Sequence, residues 1–277
     1  MIDESAIAPI VTAALAEDLG DRGDITSTAI IDPSSRSTAR VVARAPGVVA
    51  GLPVAAHVFR RVDPELVLDL GTEGAHVVPG DVVATVTGSS RSILTAERTA
   101  LNLLARMSGV ATATSHLVAA VAGTGARITD TRKTMPGLRV LDKYAVGVGG
   151  GVNHRMGLYD QVMLKDNHIV AAGDLRSAVA AARAAVRPET RVIVEVEDLA
   201  QLAEVLGTDA DRVLLDNMGM GELRTAVEMV SGRMETEASG GITLENVRQV
   251  AETGVGFISV GWITHSAPQL DLALDFS

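Results

Sequence analysis

The sequence predicts an α/β protein in two parts: mixed α+β structure over the first hundred or so residues, then parallel strands joined by helices. Three observations carry this. Beyond residue 122, short β-branched segments alternate with amphipathic helical ones, and parallel neighbours require such crossovers. Hydrophobic residues make up 47% of the 277 but aromatics only 2%, so the core is built from Ala, Val, Leu and Ile, which suit tightly layered packing. No Pro-, Gly- or Ser-rich linker divides the chain, so any domain boundary is structural rather than compositional.

In chain order, Ser5 to Asp18 has helical spacing and Ser37 to Ala50 holds β-branched runs. Pro53 to Val62 reads as a short helix opened by its proline. Gly71 to Val86 reads as strand, Pro79-Gly80 turn, strand. That pattern also occurs in lipoyl- and biotinyl-type folds, but no modifiable lysine accompanies it. A long helix is expected from Thr95 to Ala122, with a break at Gly109. Then come six candidate strands: Arg127–Thr131, Gln161–Lys165, Val192–Val196, Val213–Asp216, Glu235–Ala238 and Gly256–Gly261. Helix patterns fall between the later ones at Asp174–Val186, Leu199–Leu206, Glu222–Val230 and Leu244–Glu252. Six strands suit a short closed barrel or an open doubly wound sheet, and periodicity does not choose between them.

Composition narrows the function. With 24 Lys+Arg against 34 Asp+Glu the net charge is −10, which argues against coating nucleic acid. Zero cysteines remove thiol catalysis, disulfides and Cys-based metal sites, and fit a reducing cytoplasm. No uncharged apolar run approaches the roughly 20 residues of a membrane span, and the acidic start Met1-Ile-Asp-Glu-Ser-Ala6 is unlike a signal peptide. An enzyme working on small molecules is expected.

In both parallel architectures ligands bind at the carboxyl ends of the strands. The residues there are Thr131-Arg132-Lys133, Lys165, Glu195, Asp216, Ser239-Gly240-Gly241 and Gly261. A charge leaving a buried strand such as Val162-Met163-Leu164 needs a partner or a ligand. Between Arg127 and His168 lie seven cations (Arg127, Arg132, Lys133, Arg139, Lys143, Arg155, Lys165) and four carboxylates, a local positive surplus in an acidic chain. Several sit beside glycine turns, including the flexible run Gly147 to Gly151 that precedes His154 and Arg155. Arginine forks match carboxylates and phosphates, so a pocket for a small polyanion is expected. Glu195 and Asp216 resemble a general acid–base pair at first sight, but hard carboxylates facing a phosphate-rich ligand suit Mg²⁺ better. Ser239-Gly240-Gly241 and Gly261 offer backbone N–H groups of the kind that hold phosphate monoesters.

Motifs along nearly the whole chain resemble the quinolinate phosphoribosyltransferase family: Glu17-Asp-Leu-Gly-Asp-Arg-Gly-Asp-Ile-Thr-Ser27, Glu97-Arg-Thr-Ala-Leu-Asn-Leu-Leu104, Asp130-Thr-Arg-Lys-Thr-Met-Pro-Gly-Leu-Arg139, Gly149-Gly-Gly-Val-Asn-His-Arg155, Leu164-Lys-Asp-Asn-His-Ile169, Leu215-Asp-Asn217 and Glu237-Ala-Ser-Gly-Gly-Ile242. The resemblance implies an N-terminal open-faced α/β sandwich over 1–108, with the tail 266–277 packing back on it. It implies a parallel α/β barrel of six or seven strands over 109–265. The implied reaction joins quinolinate to phosphoribosyl pyrophosphate, with loss of CO₂ and pyrophosphate, to give nicotinate mononucleotide for NAD synthesis.

By the resemblance, Arg132, His154, Arg155 and Lys165 hold the two quinolinate carboxylates. Lys133, Glu195 and Asp216 handle sugar and pyrophosphate with Mg²⁺, for which Glu195 and Asp216 are the ligands, directly or through water or substrate oxygens. Lys133, Lys165, Glu195 and Asp216 are the implied catalytic set. Ser239, Gly240, Gly241, Gly261 and His265 line the 5′-phosphate site, and Thr131 and Val260 belong to the same binding surface. Arg98 enters the neighbouring subunit's site, which implies a homodimer or higher oligomer. Read from the residues alone, Arg98, Asn102 and Arg106 form a helical stripe of the solvated kind. Met135 and Trp262 depart from the family pattern without removing a charged ligand. Three rivals remain: a phosphoribosyltransferase for another pyridine acid, a Schiff-base aldolase using Lys165, and a non-catalytic phosphosugar sensor. No nucleic-acid or membrane partner is expected, and a cytoplasmic location is.

Overall fold

The structure is a computed structural model and describes residues 2–276. The chain divides into two compact units. The first holds the residues up to Ser115, Thr134–Gly150 and the chain from Ile263 onward; the second holds His116–Lys133 and Gly151–Trp262.

The first unit contains β1 (Arg36–Ala43), β2 (Gly47–Val48), β3 (Val67–Leu70), β4 (His76–Val77) and β5 (Val82–Ser89). The second contains β6 (Arg127–Thr129), β7 (Val162–Leu164), β8 (Val192–Val196), β9 (Arg212–Asp216), β10 (Glu235–Ser239) and β11 (Phe257–Ser259). The last strand, β12 (Leu272–Phe276), returns to the first unit.

There the antiparallel order is β12-β1-β5-β3, and β2 pairs with β4. The Pro79-Gly80 turn forms as the sequence indicates: Gly80 takes φ +97°, and the Val78 N–H donates to the Asp81 carboxylate at 2.8 Å. Helices Glu4–Leu19, Leu52–Val62 and Arg139–Val148 belong to this unit.

Helix Ser90–Ala120 is continuous, so the expected break at Gly109 does not occur. A Cβ at Gly109 would lie 2.1 Å from the Pro268 carbonyl oxygen, so the glycine admits the returning tail. Within the run Gly147 to Gly151, Gly149 and Gly150 are likewise constrained rather than flexible. A Cβ at Gly149 would meet the Ala111 carbonyl at 2.4 Å, and Gly150 has φ +87°.

In the second unit all six strands are parallel, in the order β6-β11-β10-β9-β8-β7. Helices Leu175–Ala185, Leu199–Val205, Met220–Val230 and Val247–Ala251 make the crossovers. Asp174 caps the first of these through the Ser177 N–H at 2.9 Å, and Asp198 caps the second through the Gln201 N–H at 2.8 Å. Strand faces are lined by fully buried Ile128, Ile193, Leu215 and Ile258.

Laid flat, six strands at about 4.8 Å spacing would hold β6 and β7 roughly 24 Å apart. Residues that follow both of these edges nevertheless line one cavity, so the sheet curls into a barrel. Among the described residues no ladder joins β6 to β7; Val152 forms a parallel bridge with Thr129 and adds a seventh element beside β6.

Three short helices went unread in the sequence: Ile25–Ile30, Asp166–Ala172 and Trp262–His265. So did strand β3.

Candidate active site

Every strand of the barrel ends at one cavity of about 390 Å³, lined by Thr131, Arg132, Lys133, His154, Arg155, Met163, Lys165, Glu195, Leu214, Asp216, Glu237, Ser239 and Ser259. A wider groove of about 790 Å³ shares Arg132, Arg155, Met163 and Lys165 with it and continues past Leu158, Tyr159 and Arg187.

Each cation is delivered by a defined piece of backbone. After β6 the Thr131 hydroxyl accepts the Lys133 N–H at 3.0 Å, a local turn that carries Arg132 and Lys133. The buried Asp130 carboxylate accepts the His154 N–H at 2.9 Å, which ties the segment preceding Arg155 to the end of β6. Lys165 follows β7 and precedes helix Asp166–Ala172, and its main-chain N–H donates to His168 Nδ1 at 3.0 Å.

Arg155 is 7% exposed. Burial and then the charge of Arg132 pull its guanidinium below its ordinary value, while Asp160 and Glu195 act the other way. Two guanidiniums held against each other in a half-closed site form a receptor for an anion.

The carboxylates come from adjacent strands. Glu195 on β8 accepts a short contact from Lys165 Nζ, and Asp216 at the end of β9 accepts from Asn217 Nδ2 at 2.7 Å. Among the described residues no group of three or more His, Asp or Glu side chains is arranged to hold a metal. Two hard oxygen donors on neighbouring strands fit an Mg²⁺ whose remaining ligands are water and substrate oxygens.

Ser239 and Ser259 are register partners on β10 and β11 and line the same cavity. Beyond Ser239, Gly240 has φ +95° and Gly241 φ +61°. A Cβ on Gly240 would sit 2.0 Å from Asn217 Oδ1 and force that side chain to move, at a φ that already favours glycine. Buried Val260 donates its N–H to the Thr129 carbonyl at 2.9 Å, and Gly261 follows it. The Trp262 indole N–H donates to the Ile242 carbonyl at 3.0 Å, linking the loops after β10 and β11.

The seven-cation cluster therefore does not act as one. Arg132, Lys133, Arg155 and Lys165 reach the cavity. Arg127 stands at the opposite end of β6, its guanidinium 4.2 Å from the Phe257 ring. Arg139 and Lys143 lie on helix Arg139–Val148 in the first unit. The reason is topological: proximity in sequence says nothing about which end of a strand a residue occupies.

Arg98 and His265 also belong to the first unit. The Arg98 side chain is 64% exposed, 4.0 Å from Glu97, and His265 Nδ1 is 2.6 Å from the Ser266 hydroxyl. Glu237 was missed. It is fully buried on β10, two residues before Ser239 and so on the same strand face, with Arg212 Nη1 donating to its Oε2 at 2.8 Å. Its signal in the sequence was a carboxylate inside an otherwise uncharged strand interior, Thr236-Glu237-Ala238.

A parallel barrel that brings four cations and two carboxylates to its strand ends defines an enzyme acting on small polyanions. The models of the quinolinate phosphoribosyl transferase N-terminal and C-terminal domains match residues 24–108 and 110–275. The chain belongs to the quinolinate phosphoribosyltransferase family. It is 46% identical over 271 residues to the carboxylating nicotinate-nucleotide pyrophosphorylase of Mycobacterium leprae, covering 96% of this chain and 95% of that one. It is 44% identical over 284 residues to the chloroplastic enzyme of that name from Oryza sativa subsp. japonica, covering 96% of this chain and 76% of the relative. Among solved structures, the nicotinate-nucleotide pyrophosphorylase of Francisella tularensis superposes with a TM-score of 0.96 at 36% identity, covering 100% of this chain and 98% of that one.

Proposed function

We propose that the cavity binds quinolinate between Arg132, Arg155 and Lys165, with the phosphoribosyl donor extending over Lys133, Glu195 and Asp216 to Ser239, Gly240, Gly241 and Gly261. The chain is a decarboxylating quinolinate phosphoribosyltransferase of NAD biosynthesis. The observation that carries the assignment of roles is the convergence of the two guanidiniums with Lys165 in one cavity, since a diacid needs more positive charge than a monoacid does.

The reaction breaks the bond between ribose C1 and pyrophosphate, whose electrons leave with the pyrophosphate. The ring nitrogen donates its lone pair to C1 and becomes a pyridinium. The adjacent carboxylate then departs as CO₂; its bonding pair passes to ring C2, which takes one proton to give nicotinate mononucleotide. Glu195 and Asp216 would hold an Mg²⁺ ion, which would supply electrostatic neutralisation of the departing pyrophosphate.

The protein's own residues orient and balance charge. Arg132, Arg155 and Lys165 fix the ring plane, and Lys133 faces the developing anion on an exposed loop. Glu195 holds Lys165 and, with Asp216, receives the ribose hydroxyls or the metal. The loops after β10 and β11 take the 5′-phosphate, with Val260 and Thr131 shaping the strand ends beside them. From a second subunit, Arg98 completes the site in a homodimer. Among the described residues no helix is long and apolar enough to cross a membrane. We place the enzyme in the cytoplasm on its cysteine-free composition, which suits a reducing compartment.

The test is turnover with quinolinate and phosphoribosyl pyrophosphate, with and without magnesium, following CO₂ release. Magnesium-dependent CO₂ release supports these roles. Turnover of nicotinate without CO₂ release would move the chain to another acid.

A further inference from the structure

A chain of buried groups runs beneath the acid-binding end of the cavity. The Arg212 guanidinium, itself buried, lies 3.6 Å over the Phe257 ring and donates to Glu235 Oε2 through Nε at 2.9 Å and to Glu237 Oε2 through Nη1 at 2.8 Å. The same Glu237 oxygen faces His154 Nε2 at 3.4 Å. On the other side of that ring, Nδ1 accepts the main-chain N–H of Arg155 at 2.7 Å. A nitrogen that accepts an N–H carries no proton, so the ring proton sits on Nε2 and points to Glu237.

We propose that Glu237 is a positioning residue for acid binding: it fixes His154 in the Nε2–H form, and the ring in turn holds the Arg155 main chain so that its guanidinium stays in the cavity. This rests on the functional reading above and revises the role that the resemblance implies for His154. His154 acts through Arg155 rather than gripping a substrate carboxylate as a cation. Arg212 supplies a hydrogen-bonded counter-charge to the Glu237 carboxylate, which has no exposure to solvent. The three elements that supply this chain, β9, β10 and the segment after Val152, are anchored independently, since Asp130 fixes the His154 main chain. The ring orientation is thus set from both ends, as in sites where an outer carboxylate orients a ligating imidazole.

Replacing Glu237 by glutamine keeps the shape but presents an N–H to Nε2. The ring then moves its proton to Nδ1 and loses the Arg155 N–H. The first measurement is the tautomer of His154 by multiple-bond proton–nitrogen NMR of histidine-labelled wild-type protein, its signal assigned by its loss in His154→Gln. The Nε2–H form is expected in the wild type; an Nδ1–H form overturns the proposal whether or not any variant folds.

The second is kinetic. Glu237→Gln should raise KM for quinolinate roughly tenfold to a hundredfold, the usual scale for an outer orienting partner, and leave KM for phosphoribosyl pyrophosphate within about twofold. The double variant Glu237→Gln/His154→Gln should be no worse than His154→Gln alone, because both act along one path. Equal rises in both KM values, or effects that multiply, overturn it. A wild-type protein without turnover of quinolinate would defeat the functional reading instead, and the spectrum would still decide the tautomer.

Discussion

Arg106 and Asp142 meet as a two-point ion pair, Nε to Oδ1 at 2.9 Å and Nη2 to Oδ2 at 2.8 Å. Asp142 is fully buried and also accepts the Met135 N–H at 3.2 Å, while Arg106 Nη2 donates to the Thr264 carbonyl at 2.7 Å. One guanidinium therefore joins helix Ser90–Ala120, helix Arg139–Val148 and the segment at Thr264. Burial pushes the Asp142 carboxyl up, against the opposing pull of Arg106. Arg106→Ala leaves that carboxylate buried without its counter-charge, and a loss of about 3–5 kcal/mol is expected in urea unfolding at neutral pH. A loss below about 1 kcal/mol would mean the pair behaves as a surface contact.

A second carboxylate supports a helix from outside it. Glu73 accepts the N–H groups of Gly51 at 2.6 Å and Leu52 at 3.0 Å, where Gly51 itself has no side chain to cap helix Leu52–Val62. Tyr144 lies against the same carboxylate; burial first, then the Glu73 charge and its hydrogen bond, push the phenol up from 10.0 to about 12. The shift is upward, so the stability it contributes is complete below pH 10 and fades as pH climbs toward 12. The chain has two tyrosines, so Tyr159→Phe leaves Tyr144 as the sole phenol. Its phenolate absorbance is expected to appear near pH 12, and Glu73→Gln should bring that midpoint down. An unmoved midpoint would show that Glu73 does not reach the phenol.

These two networks also show what the sequence could and could not carry. The strand–helix alternation and the strand-end residues were legible because period and position are local properties, and Lys165, Glu195, Asp216 and Ser239 all fall where that reading puts them. Arg106 read as part of a solvated stripe because its spacing matches that of exposed Arg98, and only packing against Asp142 separates the two. Gly109 read as a break because a close-packing glycine and a helix-ending one look alike until the returning tail is in place. Glu237 was passed over because its partners, Arg212 and His154, lie 25 and 83 positions away in the chain.

In the cavity, Arg132 and Arg155 carry separable expectations. Arg155 is buried and Arg132 half-buried, so each would lose a charge-assisted contact to a bound carboxylate. Arg132→Ala or Arg155→Ala should weaken quinolinate binding by about 2–5 kcal/mol in calorimetry. The unfolding midpoint of Arg155→Ala should not fall, because the substitution relieves the repulsion between the two guanidiniums. Wild-type-like affinity in either variant would remove that residue from the acid site.

Gly240 tests the phosphate end. Its φ of +95° disfavours alanine, and a Cβ there would come within 2.0 Å of Asn217 Oδ1. Gly240→Ala should displace Asn217, which holds Asp216 through Nδ2 at 2.7 Å. KM for phosphoribosyl pyrophosphate is then expected to rise while quinolinate affinity in calorimetry stays near that of the wild type. A loss confined to quinolinate would contradict the arrangement of the two ends.

Arg98 stands apart from the four cations of the cavity. Its side chain is 64% exposed on helix Ser90–Ala120 and, among the described residues, meets only Glu97 at 4.0 Å, a weak tie for a residue of a positively charged set. If it serves the site of a second subunit, Arg98→Ala and Lys165→Ala should each be inactive alone. Mixed and allowed to exchange subunits, they form hybrid dimers in which one site carries both defects and the other neither. Activity should then recover toward about a quarter of wild type at equal mixing, because half the dimers are hybrids and each has one intact site. Failure to recover, with subunit exchange verified by native mass spectrometry, would place Arg98 in the service of its own subunit or of none.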